Sequence, residues 1–269
     1  MISRRGLMGG LAGLSMPGLA GCGNRVAYAP EVYHPPGGPS GLDAVIDISH
    51  GVAVTDWGAI RRSGILGMIH KATEGGDWID PSYASRRPQA EAAGLLWGAY
   101  HFGTRQYSGQ KQAESFLSVV RPTPQTVIAL DLEPNDGNPR NTMTLAQGEA
   151  FVSTIQQATG RLPLLYVHPQ WANGEKYGRR NLKLEGPIQP GSLLARCDLW
   201  LADYREQPTV PYAWQSRGWT LWQYAADQTA KDVAHGSAHR AVAGVAYCDR
   251  NLFNGDVAAL YKFWNAKPR

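Results

Sequence analysis

Eight short apolar runs, most of them ending in a side chain that carries an acid, amide, imidazole or phenol, constrain this chain more than any other feature. They cover residues 45–49, 66–74, 95–102, 126–134, 162–168, 199–204, 219–224 and 245–249. Each is rich in β-branched or aromatic residues and is bounded by turn formers, the pattern of a buried strand. Eight strands that turn polar at the same end fit a β/α barrel, whose functional groups gather at the C-terminal ends of the strands. Helix-like segments separate the early runs. Residues 55–63 are expected to form one, with Thr55 as N-cap, and Ser108 to cap another over 109–120. A third begins at Thr144 and Gln147, which have capping-box spacing, and stops at Gly160. After Tyr204 the helical signal gives way to Trp, Gly and Pro, which predicts loops or hairpins between the last strands and fewer than eight helices. No fixed-period repeat exists beyond the β/α alternation.

The fourth run ends in Asp131-Leu132-Glu133-Pro134. Side chains two apart on a strand share a face, so Asp131 and Glu133 look into the same space with Cα atoms ~6–7 Å apart. Repulsion and partial burial push one pKa up and leave the other group ionised. That splitting is what acid-catalysed cleavage of a glycosidic bond requires. Taken alone, the pair fits a solvated strand end equally well.

The ordered set of motifs resembles glycoside hydrolase family 25, the Chalaropsis-type lysozymes or N-acetylmuramidases. The residues that carry the resemblance begin with Val45-Ile46-Asp47-Ile48-Ser49-His50-Gly51, Asp56-Trp57, and Lys71-Ala72-Thr73-Glu74-Gly75. They continue with Gly98-Ala99-Tyr100-His101-Phe102 and Leu130-Asp131-Leu132-Glu133. Leu199-Trp200-Leu201-Ala202, Trp222-Gln223-Tyr224 and Cys248-Asp249-Arg250-Asn251-Leu252-Phe253 complete the set, which spans about residues 43–261. The resemblance implies an α/β fold, a flattened TIM-like barrel of five β/α units followed by three further strands. It also implies hydrolysis of the β-1,4 bond between N-acetylmuramic acid and N-acetylglucosamine in peptidoglycan. Glu133 would be the general acid/base, and Asp131 would orient the substrate's acetamido group or stabilise charge at the anomeric carbon. Asp47 and Asp249 would be two further acids of the pocket. The family is proposed to use the substrate's N-acetyl carbonyl as nucleophile; sequence leaves retaining and inverting chemistry open. No cofactor and no metal are implied. One departure is the long segment 225–244 between the last two strands, which alters that rim.

Supporting residues carry two readings each. Tyr100, Tyr166, Trp222 and Tyr224 either stack on sugar rings or belong to the barrel core, since aromatics serve both. His101 is the histidine expected to line the pocket. Asp203 ends a strand but is secondary, and Glu74 is expected to be a structural or rim acid. His235 and His239 are four apart, but Gly236 intervenes and no third ligand accompanies them, so they make no metal site.

The N-terminus addresses the compartment. Arg4 and Arg5 open a charged segment followed by an apolar, glycine-rich run too short for a permanent membrane span, so residues 1–21 read as a signal peptide. Arg4-Arg5 leaves twin-arginine and Sec export both open. Leu19-Ala20-Gly21-Cys22 resembles a lipobox, with Cys22 as the lipidation site; an ordinary signal with a chance cysteine is the alternative. Residues 22–41, rich in Pro and Gly, read as a tether, and 42–269 as the catalytic barrel. The protein is thus expected to be exported and lipid-anchored in the cell envelope, at the outer membrane in a Gram-negative cell. A mature chain of about 250 residues suits one barrel. The formal charge is +4, and loss of Arg4 and Arg5 leaves about +2, too little to argue for nucleic acid. Expected partners are peptidoglycan glycan strands and, through Cys22, the membrane, with the protein a monomer. Cys197 and Cys248 are candidates for a disulfide in an oxidising compartment.

Two other readings compete. A chitinase-like N-acetylhexosaminidase also uses an Asp-x-Glu strand but adds an Asp two residues earlier, where this chain has Ala129. A non-catalytic wall-binding barrel would not need Asp47, Asp131, Glu133 and Asp249 intact.

Overall fold

A computed structural model describes residues 32–33, 39–226, 232–233 and 241–265. Eight strands close into a barrel: β2 (Gly41–Ile48), β3 (Gly67–Glu74), β5 (Leu96–Phe102), β6 (Val127–Asp131), β7 (Leu164–Val167), β8 (Asp198–Ala202), β9 (Leu221–Ala226) and β11 (Asp249–Phe253). The first seven are parallel, each paired with the next. The eighth, β11, runs antiparallel between β9 and β2 and closes the ring. Three two-residue strands sit outside it: β1 (Val32–Tyr33) on β2, β4 (Trp78–Ile79) on β3, and β10 (Asp232–Val233) on β9.

Helices α1 (Trp57–Arg62), α2 (Tyr83–Ala92), α3 (Gly109–Val120) and α4 (Leu145–Thr159) follow the first four barrel strands, and the short α5 (Pro169–Ala172) and α6 (Leu193–Arg196) follow β7. The fold is therefore a TIM-like barrel of five β/α units and three further strands, as the resemblance implied. Ser108 and Thr144 cap α3 and α4 as expected, the latter in a complete capping box, and Gly160 ends α4 in the left-handed conformation (φ 69°). Helix α1 differs. Its cap is Asp56, whose carboxylate accepts from the Ala59 N–H, and not Thr55. An ionised acceptor at a helix N-terminus is favoured by the dipole as well as by the hydrogen bond. Helix α2 and the C-terminal α7 (Val257–Trp264) went unforeseen.

Strand alternation divides the core in two. Val45, Ile69, Val127, Ala129, Leu164, Trp200 and Leu221 fill the barrel interior. Ile46, Met68, Ile128, Leu130, Leu165, Leu199 and Trp222 form the layer between strands and helices. Trp264 of α7 plugs the base. Its indole N–H donates to the Trp97 carbonyl at 2.8 Å, and a Cβ on Gly67 would lie 2.8 Å from its ring. Gly67 thus makes the room that the indole occupies.

One expectation is corrected and one open alternative is decided. The last strand is 249–253, not 245–249, so Asp249 begins its strand. An antiparallel strand presents its N-terminal residue where parallel neighbours present their C-terminal ones, which is why Asp249 still reaches the acidic end. Cys197 and Cys248 are both buried and are not joined. Cys197 precedes a parallel strand and lies at the base, whereas Cys248 precedes the antiparallel strand and lies at the opposite end. The leader, Cys22, His235 and His239 lie outside the described residues. Within the expected tether, Val32–Tyr33 pairs with Gly41 and Leu42.

Trp264→Ala should destabilise the protein by about 3–5 kcal/mol, since a fully buried indole leaves a cavity the barrel cannot close over. Urea unfolding checks this; a loss below about 1 kcal/mol would mean that α7 does not hold the base.

Candidate active site

At the C-terminal end of the parallel strands lies an open well of about 110 Å³ lined by Asp47, Tyr100, Asp131, Glu133, Tyr166, Trp200, Gln223 and Asp249. Each residue arrives by strand parity. Ala129, Asp131 and then Glu133, just past the end of β6, all face inward, while Leu130 and Leu132 face the helices. All four acids expected at the site therefore meet in one well, joined by the expected aromatics Tyr100 and Tyr166.

Three expected ligand contacts are corrected. His101 follows inward-facing Tyr100 and so points out. It is fully buried, stacks on Phe151 at 4.8 Å, and bonds Thr73 Oγ1 (2.8 Å) and Gln112 Oε1 (3.1 Å). Burial lowers its pKa to about 4, so it is a neutral core residue. Trp222 and Tyr224 flank inward-facing Gln223 and also point out. Trp222 donates its indole N–H to the Asp203 carbonyl, and the Tyr224 hydroxyl donates to Asp43 Oδ2 at 3.0 Å. The secondary acid Asp203 is buried in a pair with Arg205 (2.7 Å), and Glu74 pairs with Lys71 (2.7 Å).

The residues missed are Trp200, Gln223, Tyr204 and Asn251, all of which hold or line the well. Gln223 Nε2 donates to both oxygens of Asp47 (3.1 and 3.0 Å), and Asn251 Nδ2 donates to Asp47 Oδ2 at 2.7 Å. Gln223 is itself fixed, because its Oε1 accepts from the hydroxyls of Tyr166 (2.8 Å) and Tyr204 (2.5 Å). Trp200 donates its indole N–H to Asn251 Oδ1 at 2.6 Å and packs edge-on against Tyr166 and Tyr100. The available signal was parity: in Trp222-Gln223-Tyr224 the polar residue between two aromatics is the one that faces a polar interior.

Several buried carboxyls gathered in one well cannot all ionise. Burial raises the Asp47 pKa well above the usual carboxylate range, and the hydrogen-bonded Asp249 carboxyl raises it further, against the pull of Asn251 and Gln223. Burial also raises Asp131, followed by the charge of Glu133. Glu133 moves from 4.5 to about 7, chiefly by burial, with Lys71 opposing the shift and Asp136 and Asp249 adding to it. Lys71 is held over the well's edge by Glu74 and by the rings of Trp78 (5.0 Å) and Phe102 (4.8 Å). The Oδ1 atom of Asp131 is buried and has no hydrogen-bond partner. Among the described residues, no group of three or more His, Cys, Asp or Glu side chains is arranged to hold a metal ion. The site thus offers a carboxyl that is protonated near neutrality, an adjacent buried acceptor, and an aromatic floor. These are the parts of an acid–base glycosidase.

The comparisons agree with this class. The profile of glycosyl hydrolases family 25 matches residues 46–233. Lysozyme M1 of Streptomyces globisporus is 28% identical over 242 residues, covering 85% of this chain and 74% of that protein. Among solved structures, the bacterial lysozyme from Streptomyces coelicolor superposes with a TM-score of 0.67 at 28% identity, covering 84% of this chain and 97% of that one. A family GH25 lysozyme from Aspergillus fumigatus gives 0.62 at 26% identity, covering 83% and 99%. The chain belongs to glycosyl hydrolase family 25, and it is a glycoside hydrolase.

The Glu133 shift has a stability consequence of definite sign. A carboxyl whose pKa is higher folded than unfolded holds its proton more tightly in the native state. Its cost therefore grows as pH rises from 4.5 to about 7 and is complete above that. Glu133→Gln should be more stable than the parent by about 1–3 kcal/mol at pH 8, with the gain vanishing below pH ~4.5. Thermal unfolding across pH measures it, and a pH-independent difference would refute the shift.

Proposed function

We propose that this enzyme is a peptidoglycan muramidase, acting as a monomer on the β-1,4 bond between N-acetylmuramic acid and N-acetylglucosamine. Glu133 is its general acid/base and Asp131 assists. The observation that carries the reading is the pairing of a Glu133 carboxyl protonated near pH 7 with a buried, unpartnered Asp131 oxygen in one well. Glu133 donates its proton to the glycosidic oxygen as the bond to the anomeric carbon breaks. The Asp131 oxygen accepts from the acetamido N–H, which turns the acetamido carbonyl toward the anomeric carbon as nucleophile. Glu133, now ionised, takes a proton from the water that completes hydrolysis. Asp47 and Asp249 line the well beside them, and Tyr166 and Trp200 form its floor. Relatives called lysozymes support a wall glycan as substrate. The chitinase-like alternative is disfavoured by Ala129, which faces the barrel interior where that class places an acid.

On purified sacculi, Glu133→Gln should lose ~10²–10⁴-fold in kcat. The parent rate should fall as pH rises through about 7, where Glu133 gives up its proton. Borohydride reduction and mass spectrometry should find muramic acid at the new reducing ends. Reduced glucosamine or anhydro-muramyl ends would overturn the bond assignment, and near-normal turnover in the variant would remove Glu133 from its role.

Export and lipidation at Cys22 complete the proposal. Several acyl chains on one cysteine anchor firmly where a single chain does not. The segment that follows Cys22 would then tether the barrel to the membrane within reach of the wall. Cys22→Ala should move the protein from the membrane to the soluble fraction with its activity on sacculi intact. A parent protein that is already soluble and begins elsewhere than Cys22 would sink the anchor.

A further inference from the structure

Beside the well, just past the end of β8, lies a shallow, open surface depression of about 530 Å³ lined by the consecutive residues Tyr204, Arg205, Glu206 and Gln207. Tyr204 connects the two: it lines this depression, and its hydroxyl donates to Gln223, which lines the well.

Arg205 is pre-positioned there. Its Nε and Nη2 donate to the two oxygens of Asp203 at 2.8 and 2.7 Å, and Asp203 Oδ2 also accepts from the Thr209 N–H. Asp203 is buried, while the Arg205 side chain is half exposed. A guanidinium has five N–H donors, and the bidentate pair uses two, so three remain for a ligand while the head is held in place. The neighbouring loop brings both signs: Glu175 acts on Arg205 as an opposite charge, and basic residues follow it. Between Glu175 and Glu185 it carries Lys176, Arg179, Arg180 and Lys183, all exposed. It is tied to the well's rim where Asp136 accepts from the Arg179 N–H (3.0 Å) and Tyr177 stacks on His168 (3.7 Å).

We propose that this depression binds the peptide stem attached to the sugar in the well, with Arg205 taking a stem carboxylate and the 176–183 loop drawing the anionic stem in. The proposal rests on the muramidase reading, because muramic acid is the wall sugar whose lactyl group carries such a peptide. Glu206, on the same wall, then faces the ammonium of the stem's diamino acid. The depression thus makes stem-bearing strands better substrates than bare ones through binding, while the chemistry remains that of the well.

The test compares strands that carry stems with strands from which an amidase has removed them. The unsubstituted protein should show a KM about tenfold lower on stem-bearing strands, the worth of one charge-assisted hydrogen bond at a half-exposed site, with kcat similar on both. That advantage should shrink as salt rises. Arg205→Gln should bring the KM ratio close to one, and Arg179→Gln/Arg180→Gln should flatten its salt dependence. The free tripeptide L-Ala-γ-D-Glu-diaminopimelate should inhibit competitively on stem-bearing strands. Equal KM on both strands, or an Arg205→Gln loss that is the same on both, overturns the stem site. Should Arg205→Gln fail to fold with Asp203 left unpaired, the strand comparison and the loop variant decide. Hydrolysis of neither strand would instead overturn the muramidase reading.

Discussion

The carboxylate of Asp47 is the point on which the structure turns. It sits on the first barrel strand, nearly fully buried, and accepts hydrogen bonds from Gln223 on the seventh strand and Asn251 on the eighth. A buried carboxyl without such partners would cost about 1–3 kcal/mol, and more if ionised. These bonds therefore both compensate the acid and fasten the seam where the sheet closes on itself. The same seam sets Asp249 directly opposite Asp47 in register. Closure of the barrel and assembly of the acidic well are one event.

That coupling explains the polar shell behind the acids. Tyr166 and Tyr204 orient Gln223, and Trp200 orients Asn251. Each amide is held at its oxygen end, so its nitrogen is left facing Asp47. On the opposite wall, Lys71 moderates the field: it draws Glu133 and Asp131 down while burial and their neighbours push them up. The outcome is a Glu133 that exchanges its proton near neutrality. A well of this kind is destabilising in itself, and its cost is carried by the apolar barrel and the indole that plugs its base.

Much of this was legible in the chain. Seven of the eight runs gave barrel strands, the fading helices after Tyr204 agreed with the five-plus-three arrangement that the family resemblance implied, and Asp47, Asp131, Glu133 and Asp249 all reach the well. The three expected pocket residues that face outward share one cause. His101, Trp222 and Tyr224 lie within a residue of the pocket in sequence yet point to the opposite face of the sheet, because adjacent strand residues alternate. Applied from Tyr100 and from the Asp131/Glu133 pair, parity identifies inward positions on those strands. It does not carry from one strand to another, since register and bulges reset it, as the shift between Asn251 and Leu252 does on the closing strand.

The sequence by itself determined the periodicities: which runs are strands, where α3 and α4 are capped, and that two acids two residues apart share a face. These are properties of neighbouring residues, and backbone geometry translates them directly. Only the tertiary structure decided that the last strand runs antiparallel, that Cys197 and Cys248 lie at opposite ends, and that Gln223 and Asn251 converge on a carboxylate about 176 and 204 residues away. Such contacts depend on how the sheet closes, and no local preference of the chain encodes the closure.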